Sequence, residues 1–434
     1  MSSVGRRITL ARSTLFGAFR RRPVRSLSIA LFSVILFGAS SFYGWAVYSW
    51  RQAVTDADSQ RFEASRRRLD FCRRVWPNDP ALLLLSAKTS RKTGQYAAAE
   101  GYLNRYFALR TESRDAAQLE FLLLRTETGD DEAADPLFVL VDQGHPQSTE
   151  ILEAISMSYI KRLRYQAANA CLSKWIELFP DQASPYDRRG WIYESTSIPA
   201  LAIRDYSKSL ELDPGRTPVR LRLVELLLYE KKVPEVAPHI AALVAQAPDR
   251  AEVKARVGML RFLEGRSREA RELLEGVEPQ LASEDVAPVI YLARLDVQEG
   301  KGLDAERRLR RVIAQDSTET EARFVLVSAL RLQGREAEAV AVQQEQEKLN
   351  ERNIRVNYLL RDRADKADAT LEEWFEIGSI FMEMRMGTQG RYWLDKVLGR
   401  DADHQGAHRE MMDHFERKGD AAGAAAHRRM LRDK

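Results

Sequence analysis

Two hydrophobic patterns divide this chain. From Ser26 to Trp50, 25 consecutive residues carry no charge. As a helix rising ~1.5 Å per residue, that run exceeds the ~30 Å hydrocarbon thickness of a bilayer. After Arg51 the apolar residues instead recur at three- and four-residue steps, the period of an amphipathic helix. Prolines punctuate this second pattern: Pro146, Pro180, Pro214 and Pro248 stand 34 residues apart. Proline has no N–H to donate and clashes with the preceding turn, so Glu177-Leu-Phe-Pro180 and Glu211-Leu-Asp-Pro214 read as helix ends. The pattern predicts an array of helical repeats, each closed by a stop.

Within the period Ala183 to Arg216, Tyr186, Gly190 and Tyr193 share one helix, and Ala202, Tyr206 and Pro214 lie on and after a second. This resembles the tetratricopeptide repeat, whose pattern runs aromatic, x2, Leu-Gly, x2, Tyr, then Ala, x3, aromatic, then Pro. Arg189 departs from the usual Leu. A small residue on each helix would let the backbones cross closely, with the large residues forming the buried stripe. The frame extends to Leu152, Ile155, Tyr159, Ala168 and Leu172, to Phe121, Gly129, Ala134 and Phe138, and to Gly258, Gly265, Ala270 and Leu274. Near the end, Trp374, Ile377, Gly378 and Phe381 restore it, followed by Met411, Phe415 and Gly419.

The uncharged run predicts a transmembrane helix, and the resemblance implies that a right-handed α-α superhelix of about nine full repeats and a partial one follows it, in an all-α chain. The divisions are a basic cytoplasmic tail over 1–26, the membrane helix over 27–50, and a solenoid over 51–350 that begins with a half repeat. A helical and polar insertion follows over 351–370, then a C-terminal repeat pair over 371–434. Pro234, Pro238, Val224 and Val236 suggest a kinked repeat. The register slips by one residue around Lys301 and Gly334. The insertion, rich in Arg, Asp and Lys, reads as the hinge.

Charge fixes the expected topology. Residues 1–26 hold seven arginines and no acid, leaving 60 basic against 63 acidic residues in the remainder. Basic residues stay cytoplasmic, and Phe42, Tyr43, Trp45, Tyr48 and Trp50 suit the far headgroup layer. The solenoid is therefore expected outside the cytoplasm, in the periplasm of a bacterial envelope by resemblance. Cleavage at Ala39-Ser40-Ser41 would instead leave a soluble periplasmic binder, and the reverse orientation a cytoplasm-facing assembly factor.

The balanced body argues against a strongly basic nucleic-acid binder, and two cysteines exclude a disulfide scaffold. No phosphate loop, nucleophile elbow or paired-cysteine metal motif occurs, so no enzyme, cofactor or small-molecule substrate is expected. His404 and His408 have helical spacing but lack the zinc-protease pattern, and read as solvated turn residues. Cys72 and Cys171 read as buried free thiols. A stacked array presents a concave groove for other proteins or peptides. Resemblance to the family places Met157, Ile160, Asp187, Trp191, Glu194, Leu221, Glu225, Tyr229, Met259 and Phe262 on that wall. Their chemistry suits an extended peptide or an amphipathic helix with apolar side chains and some basic character.

Overall fold

The computed structural model describes residues 23–109, 114–130, 132–281 and 285–431. The described elements are helical, and they divide into two compact units, Met1–His145 and Pro146–Lys434.

The first unit holds α1 (Pro23–Asp58), α2 (Phe62–Val75), α3 (Pro80–Lys92), α4 (Tyr96–Ala108), α5 (Asp115–Thr128) and α6 (Ala134–Asp142). The last turns of α1 pack on α2, burying Ala46 and Ala53 with Leu69 and Cys72. Asp56 at the end of α1 joins this hairpin electrostatically, accepting from Arg61 at 2.7 Å and from Arg68 at 2.8 Å. Further along, the wholly buried Arg91 of α3 donates to Glu120 and Glu127 of α5. Removing one partner of such a pair would strand a charge in the interior.

The second unit runs α7 (Ser148–Lys161), α8 (Tyr165–Leu178), α9 (Ala183–Ser195), α10 (Pro199–Leu212), α11 (Thr217–Tyr229), α12 (Val233–Gln246), α13 (Ala251–Leu263), α14 (Ser267–Val277), α15 (Ala287–Gln298), α16 (Gly302–Gln315), α17 (Thr320–Leu332), α18 (Glu336–Tyr358), α19 (Leu371–Glu383), α20 (Gly387–Arg400), α21 (Gln405–Arg417) and α22 (Ala421–Arg428). One apolar core extends without interruption from Ala202 on α10 to Leu295 on α15. That continuity is what stacked hairpins require, since each hides its apolar face only against the next.

The repeat is written most plainly in the backbone. Gln60, Gly94, Gly129, Leu163, Ser197, Lys231, Gly265, Gly300, Gly334, Arg385 and Gly419 all have φ between 56° and 110°, and each turns the first helix of a hairpin into the second. The steps are 34 or 35 residues, except 51 between Gly334 and Arg385. Eleven hairpins are therefore present among the described residues, against the nine and a part read from the sequence; the end of α1 serves as the first helix that completes the partial one. The single 51-residue step places an insertion of half a repeat.

Glycines inside helices explain the close crossings. A β-carbon on Gly190 would lie 2.8 Å from the Tyr206 ring, on Gly258 2.8 Å from Leu274, and on Gly378 2.8 Å from Leu394. In each case the partner lies sixteen positions later, on the second helix of the same hairpin. The proline-rich α12 is continuous through Pro238, with Val236 fully buried where a small residue was expected.

Among the described residues, no helix is long and apolar enough to cross a membrane. Residues 1–22 of the expected tail lie outside the described residues, as do the side chains of residues 23–26 of that tail and of 27–31, 33, 35 and 39 in the expected span. Where side chains are described, Phe32, Val34, Leu36 and Phe37 are 51–77% exposed. Cys72 and Cys171 are free and buried; burial raises both thiols above their ordinary pKa, Cys171 to about 12.

Candidate functional site

The side chains assigned to the concave wall divide among two recesses and the core. Met157 and Ile160 of α7, with Asp187 and Trp191 of α9, line one recess of about 560 Å³, closed by Tyr206 and by Arg216 and Arg222. Trp191 stands edge-on to Tyr165 at 6.0 Å, half-buried with one flank free. Asp187 takes a hydrogen bond from Arg216, yet burial lifts its carboxyl above the ordinary value. Glu194 lies behind this recess, accepting from the Tyr206 hydroxyl and from Arg222.

A second recess of about 540 Å³ is lined by Glu225 and Tyr229 of α11, Met259 of α13, Tyr291 and Arg294 of α15, Phe324 of α17 and Gln346 of α18. Glu225 is held by Arg256 at 2.9 Å, and Arg256 is itself bound by Asp285 at 3.0 Å. Tyr229 is 65% exposed and Phe324 57%. Phe324 was not among the wall residues read from the sequence; its place on the first helix of a hairpin, where the repeat puts wall positions, was the signal that would have found it.

Three of the wall residues are largely packing groups. Met259 is 1% exposed and belongs to the core, and Leu221 and Phe262 pack against that same core. Phe262 stands edge-on to Tyr291 at 5.2 Å. Met259 follows Gly258, the close-crossing position, so it is drawn into the stack between neighbouring first helices.

The wall is not an open channel. Helix α18 is 23 residues long, about 34 Å, whereas the second helices of the preceding hairpins from α8 to α16 have 11 to 14 residues. It continues into a π-helical turn, Leu359–Arg363, with Val356, Leu359 and Leu360 buried. Asn357 donates to Ser197 at 3.2 Å, and Asp365 accepts from Arg164 at 2.6 Å and from the Ala167 backbone at 3.3 Å. The long helix thus spans from α17 back to α8 and α9, as a chord beneath the arc of intervening hairpins. The insertion read as a hinge is pinned at both ends, since the Trp374 indole donates to Ala364 carbonyl oxygen and Arg363 pairs with Glu373 at 2.6 Å. Both recesses remain open to solvent beside it.

The histidines read as solvated turn residues are engaged. His404 caps α21, accepting from the Ala407 N–H at 3.1 Å; His408 is buried, with one ring nitrogen 2.8 Å from the Ala402 carbonyl and the other 2.9 Å from His427. Among the described residues, no group of three His, Cys, Asp or Glu side chains is placed to hold a metal ion.

No protein-family model matches the chain, and no curated protein matches it. Solved structures similar to it include a tetratricopeptide repeat protein from Parabacteroides merdae, at 13% identity and a TM-score of 0.35, covering 66% of this chain and 99% of that one. Human IFIT1, in a dimer with PPP-AAAA, is 14% identical with a TM-score of 0.40, over 81% of this chain and 90% of that one. PilF of Pseudomonas aeruginosa is 16% identical with a TM-score of 0.36, over 48% and 93%. Likenesses of this size carry no functional argument; the tetratricopeptide-like reading of the hairpins rests on their repeating turns and close crossings.

Proposed function

We propose that the protein is a non-enzymatic scaffold, tethered by its first helix to the cytoplasmic membrane, which holds segments of partner proteins against its repeats outside the cytoplasm. One observation carries the tether: Phe32, Val34, Leu36 and Phe37 lie uncovered on a helix that runs unbroken into the first hairpin. Each such side chain left in water forgoes ~1.5–3 kcal/mol of burial. A bilayer is the cover that the uncharged run from Ser26 to Trp50 fits in length, and the arginines before it favour a cytoplasmic N-terminus.

Docking of a peptide or an amphipathic helix is supported by the two recesses, each combining apolar side chains with charged rims. Washing membranes with alkaline carbonate tests the tether: the full chain stays in the pellet, and a variant lacking residues 1–50 is released. A tag after Lys434 is digested when protease reaches the outer face. Release of the full chain, or a tag protected until the membrane is broken, overturns the reading. An RNA oligonucleotide serves as the competing ligand; saturable binding of it at the recesses, in place of peptide, would replace the partner class.

A further inference from the structure

The second recess has a charge pattern that its own neighbours leave incomplete. Three carboxylates border it, of which Glu225 is bound by Arg256 and Glu321 by Arg294. Glu319 accepts the Glu321 N–H at 2.8 Å as the cap of α17; Arg323 donates to its backbone carbonyl at 2.7 Å, and among the described residues no lysine or arginine pairs with its carboxylate. Burial raises its carboxyl above the usual range, and Asp316 and Glu321 add to this. Beside it, Tyr229 and Phe324 present large aromatic surfaces to solvent. The recess also borders Lys231, which is exposed at the α11–α12 turn, and Arg294, already engaged with Glu321.

We propose that this recess receives a lysine or arginine side chain from a docked protein segment, its alkyl stem on Tyr229 and Phe324 and its cation beside Glu319. The inference rests on the docking reading above and names the partner's chemistry. A long basic side chain has the two halves this surface needs, an apolar stem and a charged tip, and a cation is attracted to an aromatic face. An acidic or phosphate-bearing ligand seated on Tyr229 and Phe324 would meet the unpaired carboxylate of Glu319, since Arg294 is already engaged with Glu321. A purely apolar one would bury Glu319 without a counter-charge.

The test uses the full chain in detergent micelles and the peptide acetyl-Ala-Leu-Ala-Lys-Ala-Leu-Ala-amide, compared by calorimetry with forms carrying norleucine or glutamate at the centre. The lysine form is expected to bind at least tenfold more tightly than the norleucine form. Glu319→Gln, which keeps the capping oxygen, erases that preference; Glu319→Asp retains most of it; Phe324→Ala weakens both peptides. Equal binding of lysine and norleucine peptides, or a preference untouched by Glu319→Gln, overturns the assignment while leaving docking in place. Failure of both peptides to bind overturns the assignment and counts against docking here as well. Circular dichroism of each variant separates loss of the pocket from loss of the fold, and if Glu319→Gln unfolds, a lysine preference that fails to shrink with added salt overturns the charge pairing.

Discussion

Asp365 caps a helix whose N-cap residue, Arg164, lies 201 positions earlier in the chain: its side chain accepts from Arg164 at 2.6 Å and from the Ala167 N–H at 3.3 Å, at the N-terminus of α8. That helix has no side-chain cap of its own and no acid in its first turn. A carboxylate there satisfies an orphan N–H and opposes the positive end of the helix. The contact also fixes the far end of the chord formed by α18.

Asp365→Ala should therefore free the insertion. Loss of a charge-assisted hydrogen bond costs ~1.5–3 kcal/mol, confined to this contact. Amides over 355–368 and the first turn of α8 are expected to exchange faster, while those at the centre of α13 and α15 keep their protection. Asp365→Asn, which retains an acceptor for the Ala167 N–H, should fall between. Unchanged exchange in both variants would mean that packing of Leu359 and Leu360 alone holds the segment.

Gly190→Ala should destabilise the second unit by ~1–3 kcal/mol, because the new methyl meets the Tyr206 ring, which is 1% exposed and has nowhere to go. Gly101→Ala provides the contrast. Its helical site has nothing within 4 Å, so removing glycine's backbone freedom should add ~0.5–1 kcal/mol. Urea melts followed by circular dichroism read both.

The hairpin turns offer a backbone test. Arg385 is exposed and sits at φ 60°, a conformation that costs an L-residue ~1–2 kcal/mol. Arg385→Gly should raise stability by ~0.5–1 kcal/mol once glycine's extra unfolded-state entropy is subtracted. Gly334→Ala, at φ 71° and with open space around it, should lower stability by a similar amount through the backbone alone.

Glu373 links stability to acid. The Arg363 hydrogen bond, with the Thr370 backbone N–H in a capping box, lowers its pKa to about 2. A carboxylate depressed in the folded state contributes stability that is complete above its unfolded pKa of ~4.3 and lost as pH falls toward 2. Unfolding free energy of the wild type should therefore drop more steeply across that window than that of Glu373→Gln. Equal slopes would show that the carboxylate gains nothing from Arg363.

Much of this architecture was legible along the chain. Prolines mark the ends of repeats, and Gly129, Gly265, Gly334 and Gly419 mark turns because glycine alone enters that conformation freely. Leu163, Ser197, Lys231 and Arg385 occupy the same turn without that signature, their left-handed backbone imposed by the packing of the hairpin on either side. The chord was hidden for another reason: Asp365 and Arg164 have no local pattern relating them, and the polar composition of the insertion describes a solvated hinge as well as a pinned strut. Of the wall positions, Met157, Ile160, Asp187, Trp191, Glu225 and Tyr229 reach a recess, and Met259 borders one while it is buried in the core behind the close-crossing Gly258; Leu221 and Phe262 pack against that core.

The unbroken run of α1 into the first hairpin makes it a shaft rather than a leash. Each residue added between Phe37 and Ser41, before Phe42 meets Phe71, would turn that hairpin by about 100° and lift it by about 1.5 Å, so the azimuth of the first repeats is set by residue count. A two-residue insertion would turn them by about 200°, nearly opposite to their present bearing, and four would bring them back to within about 40° of it. A partner that must be met from one direction would distinguish those two shafts, though they differ by only two amino acids.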